Sequence, residues 1–388
     1  MPRSSSPLVN RRDAINLLAW AGGAGLMTAW RQEVAEALGQ TPGWQAAKRA
    51  REVTFPKGAI IRTIVRDIAP GDLPSGATLF HEHVGGHYTA PQPPGPTDML
   101  PGPVAPRNEA EYIDLMVDEM KMSRADGVSC VIDAAADGRR LDRTRENLSQ
   151  ISRRSGMPIV LAGGYYQDLA LKQYPPQVPT MTEDQMVEEF VGDAATQRWG
   201  AFGEIASSQQ MQPDERKVVR AVGKAHLRTN LPIFTHTPHE GCPSCALEQL
   251  DLLESLGVDP RRVCIGHLAG IRPDAEPLAQ TAKAIAKRGA FLGFDTVGHL
   301  MGRSAVPEAH KVKYVLAVLE AGYEDHLLFS ADSTPVPQLK SNWGNGYSSV
   351  VLQFVPKLRY AGVKDATLHK ILVDNPRRFL AFVPKKSP

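Results

Sequence analysis

His81 and His83 flank Glu82 at the end of the apolar run that begins at Ala77. Side chains two apart on an extended strand share a face, so both imidazoles aim inward while Glu82 aims toward the surrounding helices. His236, His267 and Asp332 end apolar, strand-like runs of their own, and Glu204 stands in the gap where one more ligand is expected. Imidazole with carboxylate is a donor set for zinc, manganese, iron or cobalt. A single His at a strand end is ordinarily a hydrogen-bonded core or loop residue. The set of six carries the inference, and six ligands imply two ions. A charged Glu204 inside a folded core also requires a neutralising cation.

The elements that must deliver these residues follow from their spacing. Glu204, His236 and His267 are about 30 residues apart and Asp332 follows at about twice that step, the length of one or two strand-plus-helix units. Strand-like runs fall at Ala77 to His83, Val128 to Ala134, Pro158 to Ala162, Trp199 to Ile205, Pro232 to His236, Arg262 to His267, Ala290 to Asp295 and Leu327 to Asp332. Amphipathic helical stretches lie between them: Glu109 to Ala125, Asp142 to Ser155, Pro213 to Thr229, Ala246 to Leu256, Leu278 to Arg288 and Glu308 to Ala321. Alternating strands and helices make an α/β fold with a parallel sheet, and eight strands make a TIM (β/α)8 barrel. Its strand C-termini meet at one rim, where distant residues can surround a common ion. On the fourth strand Phe202, Glu204 and Ala206 are expected to share the inner face. The Pro-rich loop from Pro91 to Pro106 follows the first strand on the side that shapes a substrate pocket.

With 388 residues, 42% hydrophobic and 22% charged, the chain accommodates one large barrel at 50–388. A net charge of +2 gives no electrostatic footprint for nucleic acid. Residues 1–45 form a separate region. Arg11-Arg12 precede the uncharged stretch Ala14 to Trp30, and Ala35-Glu36-Ala37 follows, the pattern of a twin-arginine export signal and linker. The stretch is short and interrupted by glycine, so no permanent membrane span is expected. The expected location is periplasmic or secreted, with a cytoplasmic protein as the alternative.

From about Ile60 to Phe382 the chain resembles the phosphotriesterase family of the amidohydrolase superfamily. The resemblance rests on Ala77-Thr78-Leu79-Phe80-His81-Glu82-His83-Val84, Gly203-Glu204-Ile205, Thr235-His236-Thr237, Ile265-Gly266-His267, Ser330-Ala331-Asp332 and Asp374-Asn375-Pro376-Arg377-Arg378. It implies a distorted barrel with two divalent ions, commonly zinc: His81, His83 and Asp332 on one, His236 and His267 on the other, Glu204 bridging. Many members bridge with a carboxylated lysine. No lysine occurs between Trp199 and Ser208, which places the chain in the glutamate-bridged, phosphotriesterase-related branch. Members also often carry acidic residues after the sixth-strand histidine, where this chain has Leu268-Ala269-Gly270. Asp295 and His299, after the seventh strand, are substitutes for such a relay, although a Thr-Val-Gly loop carrying a solvated His299 is the preferred reading. Lactonases of the family place a tyrosine near the ions, which makes Tyr165 the substrate-binding candidate. Trp343, Asn345 and Tyr347, after Asp332, are further pocket-lining candidates.

The expected function is hydrolysis of a small-molecule ester, lactone or phosphoester by a metal-bridged hydroxide, with Asp332 accepting its proton. A homodimer is admitted. Two rivals accompany this expectation: an exported metal-binding protein of the same fold without turnover, and a thiol oxidoreductase built on Cys242-Pro243-Ser244-Cys245. A local disulfide is the preferred reading of that pair. Cys130 and Cys264 sit singly in strands, as buried apolar thiols do.

Overall fold

The computed structural model describes residues 43–46, 53–85, 106–134, 141–166, 174–238, 241–272, 275–276, 279–298, 306–333 and 338–385. Residues 1–46 and 47–388 separate as two compact units. In the first, the helical turn Gly43–Ala46 is described, with Trp44 buried. Arg11-Arg12, the stretch Ala14 to Trp30, nearly all of the Pro-rich loop, and His299 lie outside the described residues. No described helix is long and apolar enough to cross a membrane.

The second unit holds an eight-stranded parallel sheet with its strands in sequence order. They are β1 (Ala77–Glu82), β2 (Val128–Asp133), β3 (Ile159–Gly163), β4 (Ala201–Ala206), β5 (Ile233–His236), β6 (Val263–Ile265), β7 (Phe291–Phe294) and β8 (Leu327–Phe329). Between them run α1 (Glu109–Ala125), α2 (Leu141–Ser155), α3 (Glu183–Thr196), α4 (Pro213–Thr229), α5 (Pro243–Ser255), α6 (Gln280–Lys287) and α7 (Glu308–Glu320). The sheet curls into a nearly closed barrel. Just beyond β8, Asp332 N–H donates to His81 O at 3.2 Å and His83 N–H donates to Ser333 O at 3.3 Å, so the last strand reaches the first at the C-terminal rim.

Local chemistry sets the helix starts. The Asn108 side chain caps α1, Thr182 and Gln185 form a reciprocal capping box on α3, and Pro213 and Pro243 occupy first-turn positions where a missing N–H costs no bond. Helix α3 is absent from the sequence-based element set. Its signals were present: Thr-x-x-Gln, then Met186, Val187, Phe190 and Ala194 on one buried face.

The barrel interior is an apolar cluster with a residue from every strand, including Phe80, Cys130, Val160, Ala201, Phe234, Cys264, Phe291 and Leu328. Phe379 and Leu380 join it from the C-terminal helix Asn375–Leu380. The segments at Ile60 and Phe382 pair by two backbone hydrogen bonds, 2.8 and 3.0 Å. Since Ala201 lies inside, simple alternation would put Glu204 outside. Phe202 does face outward, its ring against Phe190 of α3 and Trp199. The pairing of β4 with β5 slips between Phe202 and Ile205, and this irregularity turns Glu204 back to the interior. The expectation that Phe202 and Glu204 share a face is thus corrected by a register shift, as bulges near functional sites often re-aim a side chain. β1 slips against β2 between Leu79 and Glu82, the step that contains His81.

Candidate metal centre

The six sequence-predicted residues converge at the C-terminal rim. His81, Glu204, His236, His267 and Asp332 are buried, while His83 keeps a quarter of its side chain exposed. Glu204 Oε2 lies 3.1 Å from His81 Nε2 and 3.8 Å from His236 Nε2, and Oε1 lies 3.3 Å from His83 Nε2. Asp332 Oδ1 lies 3.1 Å from His83 Nε2 and 3.6 Å from His81 Nε2, and Oδ2 lies 3.9 Å from His267 Nε2. Each carboxylate therefore faces histidines on two sides. Potential ligand atoms group as His81, His83 and Glu204; as His81, His267 and Asp332; and as Glu204, His236 and His267, each within 4.8 Å.

These distances fit ligation. Donors about 2.0–2.1 Å from a tetrahedral ion stand about 3.3 Å apart, close to the shorter separations here. The chemistry of the set points the same way. His81 Nδ1 lies 2.9 Å from Asp295 Oδ2, and an ionised carboxylate can only accept, so in neutral imidazole the proton is on Nδ1 and Nε2 presents a lone pair to Glu204 Oε2. Both of those atoms are buried without a hydrogen-bond partner. Two facing acceptors require a positive charge between them. Burial opposes charge on the imidazoles, yet Glu204 and Asp332 overcome it, holding His81 well above its ordinary pKa and pushing His83 up to about 10. Burial likewise opposes the charge on Glu204, but His81 and His236 keep its carboxyl well below the usual range. Divalent ions would supply that charge without protons.

Around the cluster is a supporting layer that sequence reasoning largely missed. Asp295, buried at the end of β7, receives Nδ1 of both His81 and His267, at 2.9 and 2.8 Å, together with the His267 backbone N–H. One carboxylate thereby orients two candidate ligands. Burial raises its pKa, but the His267 and His81 imidazoles more than offset this and keep it ionised. Asp295 is thus buried and not part of a solvated loop, and His299, the residue such a loop is expected to carry, lies outside the described residues. The signal was legible: Asp295 ends an apolar strand just as Asp332 does.

Glu82 differs from expectation too. It does not face the helices. Its carboxylate accepts from Ser330 Oγ at 2.6 Å and from the Ala331 and Ser333 N–H groups at 2.8 Å each, gripping the chain on both sides of Asp332. Asp332 and His267 both adopt left-handed backbone, φ 49° and 58°. Such conformations in residues other than glycine are maintained only where surrounding structure over-determines them, and they concentrate at functional sites. Gly266, before His267, has no room for a side chain, because a Cβ there would stand 2.1 Å from Thr235 O.

Tyr165 does not reach the cluster. Its hydroxyl donates to Glu189 and its ring packs on Phe190 and Tyr174. The neighbouring Tyr166 does reach it, with its hydroxyl 2.8 Å from His236 Nε2. After Gly163-Gly164 the chain has left regular strand geometry, so alternation no longer tells which tyrosine turns inward. Trp343 is fully exposed, whereas Tyr347 is buried and donates to His83 O at 2.7 Å. Cys242 and Cys245 form a disulfide at the start of α5, and Cys130 and Cys264 are buried free thiols.

Comparison with known proteins follows the same lines. The profile of the phosphotriesterase family matches residues 60–380. The chain is 29% identical to the phosphotriesterase homology protein of Escherichia coli over 79% of its own length and 98% of that protein's. It is 28% identical to an N-acetyltaurine hydrolase of Dictyostelium discoideum, over 70% of this chain and 74% of that one. The crystal structure of the Escherichia coli protein, complexed with phosphate in its active site, superposes with a TM-score of 0.65 at 28% identity, covering 79% of this chain and 99% of that chain. A resiniferatoxin-binding protein from Rhodobacter sphaeroides superposes with a TM-score of 0.68 at 28% identity, covering 83% and 94%.

Proposed function

This chain belongs to the phosphotriesterase family and is a metal-dependent hydrolase, and from that premise we propose that it holds two divalent ions, zinc first, and cleaves a small-molecule ester, lactone or related acyl bond. The carrying observation is the convergence of His81, His83, Glu204, His236, His267 and Asp332, with Glu204 presenting one oxygen to His83 and the other to His81 and His236. In this reading His81, His83 and Asp332 hold one ion, His236 and His267 the other, and Glu204 joins them. When bound, divalent ions supply Lewis acidity and lower the pKa of water toward neutrality.

The chain's own residues do the rest. Asp332 presents one oxygen to His83 and the other to His267, which places its carboxylate to orient water and take its proton as the acyl carbon becomes tetrahedral. Tyr166 stands at the cluster's edge and is proposed to donate a hydrogen bond to a substrate oxygen. Asp295 and Glu82 hold the histidines and Asp332 in place.

Hydrolysis at an amide carbonyl belongs to the same proposal, since the Dictyostelium relative is named for a substrate with an N-acyl bond. A phosphoester is the second reading, favoured by phosphate in the active site of the Escherichia coli relative. Export is proposed as well, supported by Arg11-Arg12 and by a disulfide of the kind that persists in oxidising compartments. Zinc- and manganese-loaded protein assayed on lactones, aryl esters, N-acyl amides and phosphotriesters tests the function. Chelator-sensitive turnover of an acyl substrate is expected. Bound metal without any turnover would support a binding protein instead.

A further inference from the structure

The N-terminal face of the barrel, away from the metal cluster, contains a cavity of about 360 Å3. Its walls come from the residues before β4 and β5, the end of α4 and the C-terminal segment, whereas the candidate metal ligands follow the strands at the other end. The volume falls within the range of small-molecule sites, roughly 300–1,000 Å3. Arg62, Arg198, Arg228 and Lys385 line it together with apolar side chains that include Leu231 and Phe382, and no carboxylate is among the lining residues.

The cations are only partly used. Arg198 donates to Asp67 at 2.8 Å and to Thr63 O at 3.3 Å, Arg62 Nε lies 3.5 Å from the same Asp67 oxygen, Arg228 pairs with Glu188, and Lys385 donates to the backbone of Leu227. Four cations thus share two carboxylates. The Arg62 and Arg198 side chains keep 20% and 32% of their surface exposed. An anion is the partner that guanidinium geometry suits best. The Arg62 guanidinium also lies over the Phe382 ring, 5.3 Å from its centroid, which brings charge and apolar wall together.

We propose that this cavity is a second binding site, distinct from the hydrolytic centre, for a small amphipathic anion: a carboxylate or phosphate head against the arginines and a short hydrocarbon body against Leu231 and Phe382. The inference does not depend on the proposed reaction.

Calorimetric titration of the full-length, metal-loaded protein with octanoate, octyl phosphate and octanol tests it. One site is expected to saturate with at least one of the two anions, and the tighter of them identifies the head group. Octanol is expected to bind at least about tenfold more weakly. Arg198→Gln and Lys385→Gln are each expected to weaken the anion about tenfold, whereas Arg107→Gln, which removes the same charge from an exposed site, is expected to leave it unchanged. Binding that survives removal of the metal with a chelator separates this site from the metal centre. Because Arg198 also tethers Asp67, Lys385→Gln provides the test in which the fold is not at issue. The proposal fails if neither anion binds at millimolar concentration, if octanol binds as tightly, or if Lys385→Gln leaves the affinity unchanged.

Discussion

Asp295 receives both the backbone N–H and the imidazole Nδ1 of His267, at 2.9 and 2.8 Å, so one side chain fixes where this residue sits and which ring nitrogen is left to face the cluster. The same carboxylate does the second task for His81. Replacing Asp295 with Asn removes the charge and permits the wrong tautomers. Outer-layer partners of metal-bound histidines typically contribute about 10–100-fold in metal affinity. Asp295→Asn is therefore expected to lose zinc to a competing chelator at lower chelator concentration by that factor, with activity restored by excess zinc. Unchanged zinc retention would show that Asp295 does not orient the ligands.

The two adjacent tyrosines provide a contrast. Tyr166→Phe removes the hydroxyl beside His236 and is expected to lower kcat/KM on the order of a hundredfold with little effect on stability. Tyr165→Phe removes a hydroxyl bonded to Glu189 and should cost about 1 kcal/mol of stability while kcat/KM stays near normal. Parallel kinetics and urea unfolding decide between them. The reverse pattern would return the substrate-side role to Tyr165.

How much of this was legible in sequence depends on which rule each residue obeys. All eight strands follow from apolar runs of strand length, and helices Glu109–Ala125 and Pro213–Thr229 begin and end where periodicity and caps place them. Five of the six candidate ligands were legible because they end such runs, and Glu204 because it stands in the gap where one more ligand is expected. What escaped depends on departures from regular alternation. Glu204 faces inward through a register slip, Glu82 faces β8 where the barrel closes, and Tyr166 follows a glycine pair with irregular backbone. Asp295 was undervalued for another reason: its partners, His81 and His267, are distant in sequence, and only the closed ring brings them to one carboxylate.

Stability should respond to pH through His226, remote from the cluster. Its imidazole lies on α4, 2.6 Å from Leu231 O, and burial, together with the charges of Arg262 and Lys385, holds its pKa below the ordinary 6.5. A folded-state pKa below the unfolded value means that the unfolded chain binds the proton more readily as pH falls through about 6.5. Stability should thus be fully present above that value and decline below it. His226→Asn keeps a donor for Leu231 O without titrating, and urea unfolding from pH about 7.5 to 5.5 should show a smaller decline than wild type. An equal decline would assign the pH dependence elsewhere.

The central claim is that six side chains from five strands hold a pair of ions, and metal stoichiometry tests it most directly. Protein reconstituted with zinc, freed of excess and analysed for metal by mass spectrometry should hold two ions per chain. Asp332→Asn, which suits the left-handed backbone at that position, should retain metal near normal while turnover falls by orders of magnitude, and Glu204→Ala should lose at least one ion. A wild-type protein that retains no zinc, or a Glu204→Ala variant that retains two ions, would contradict the account.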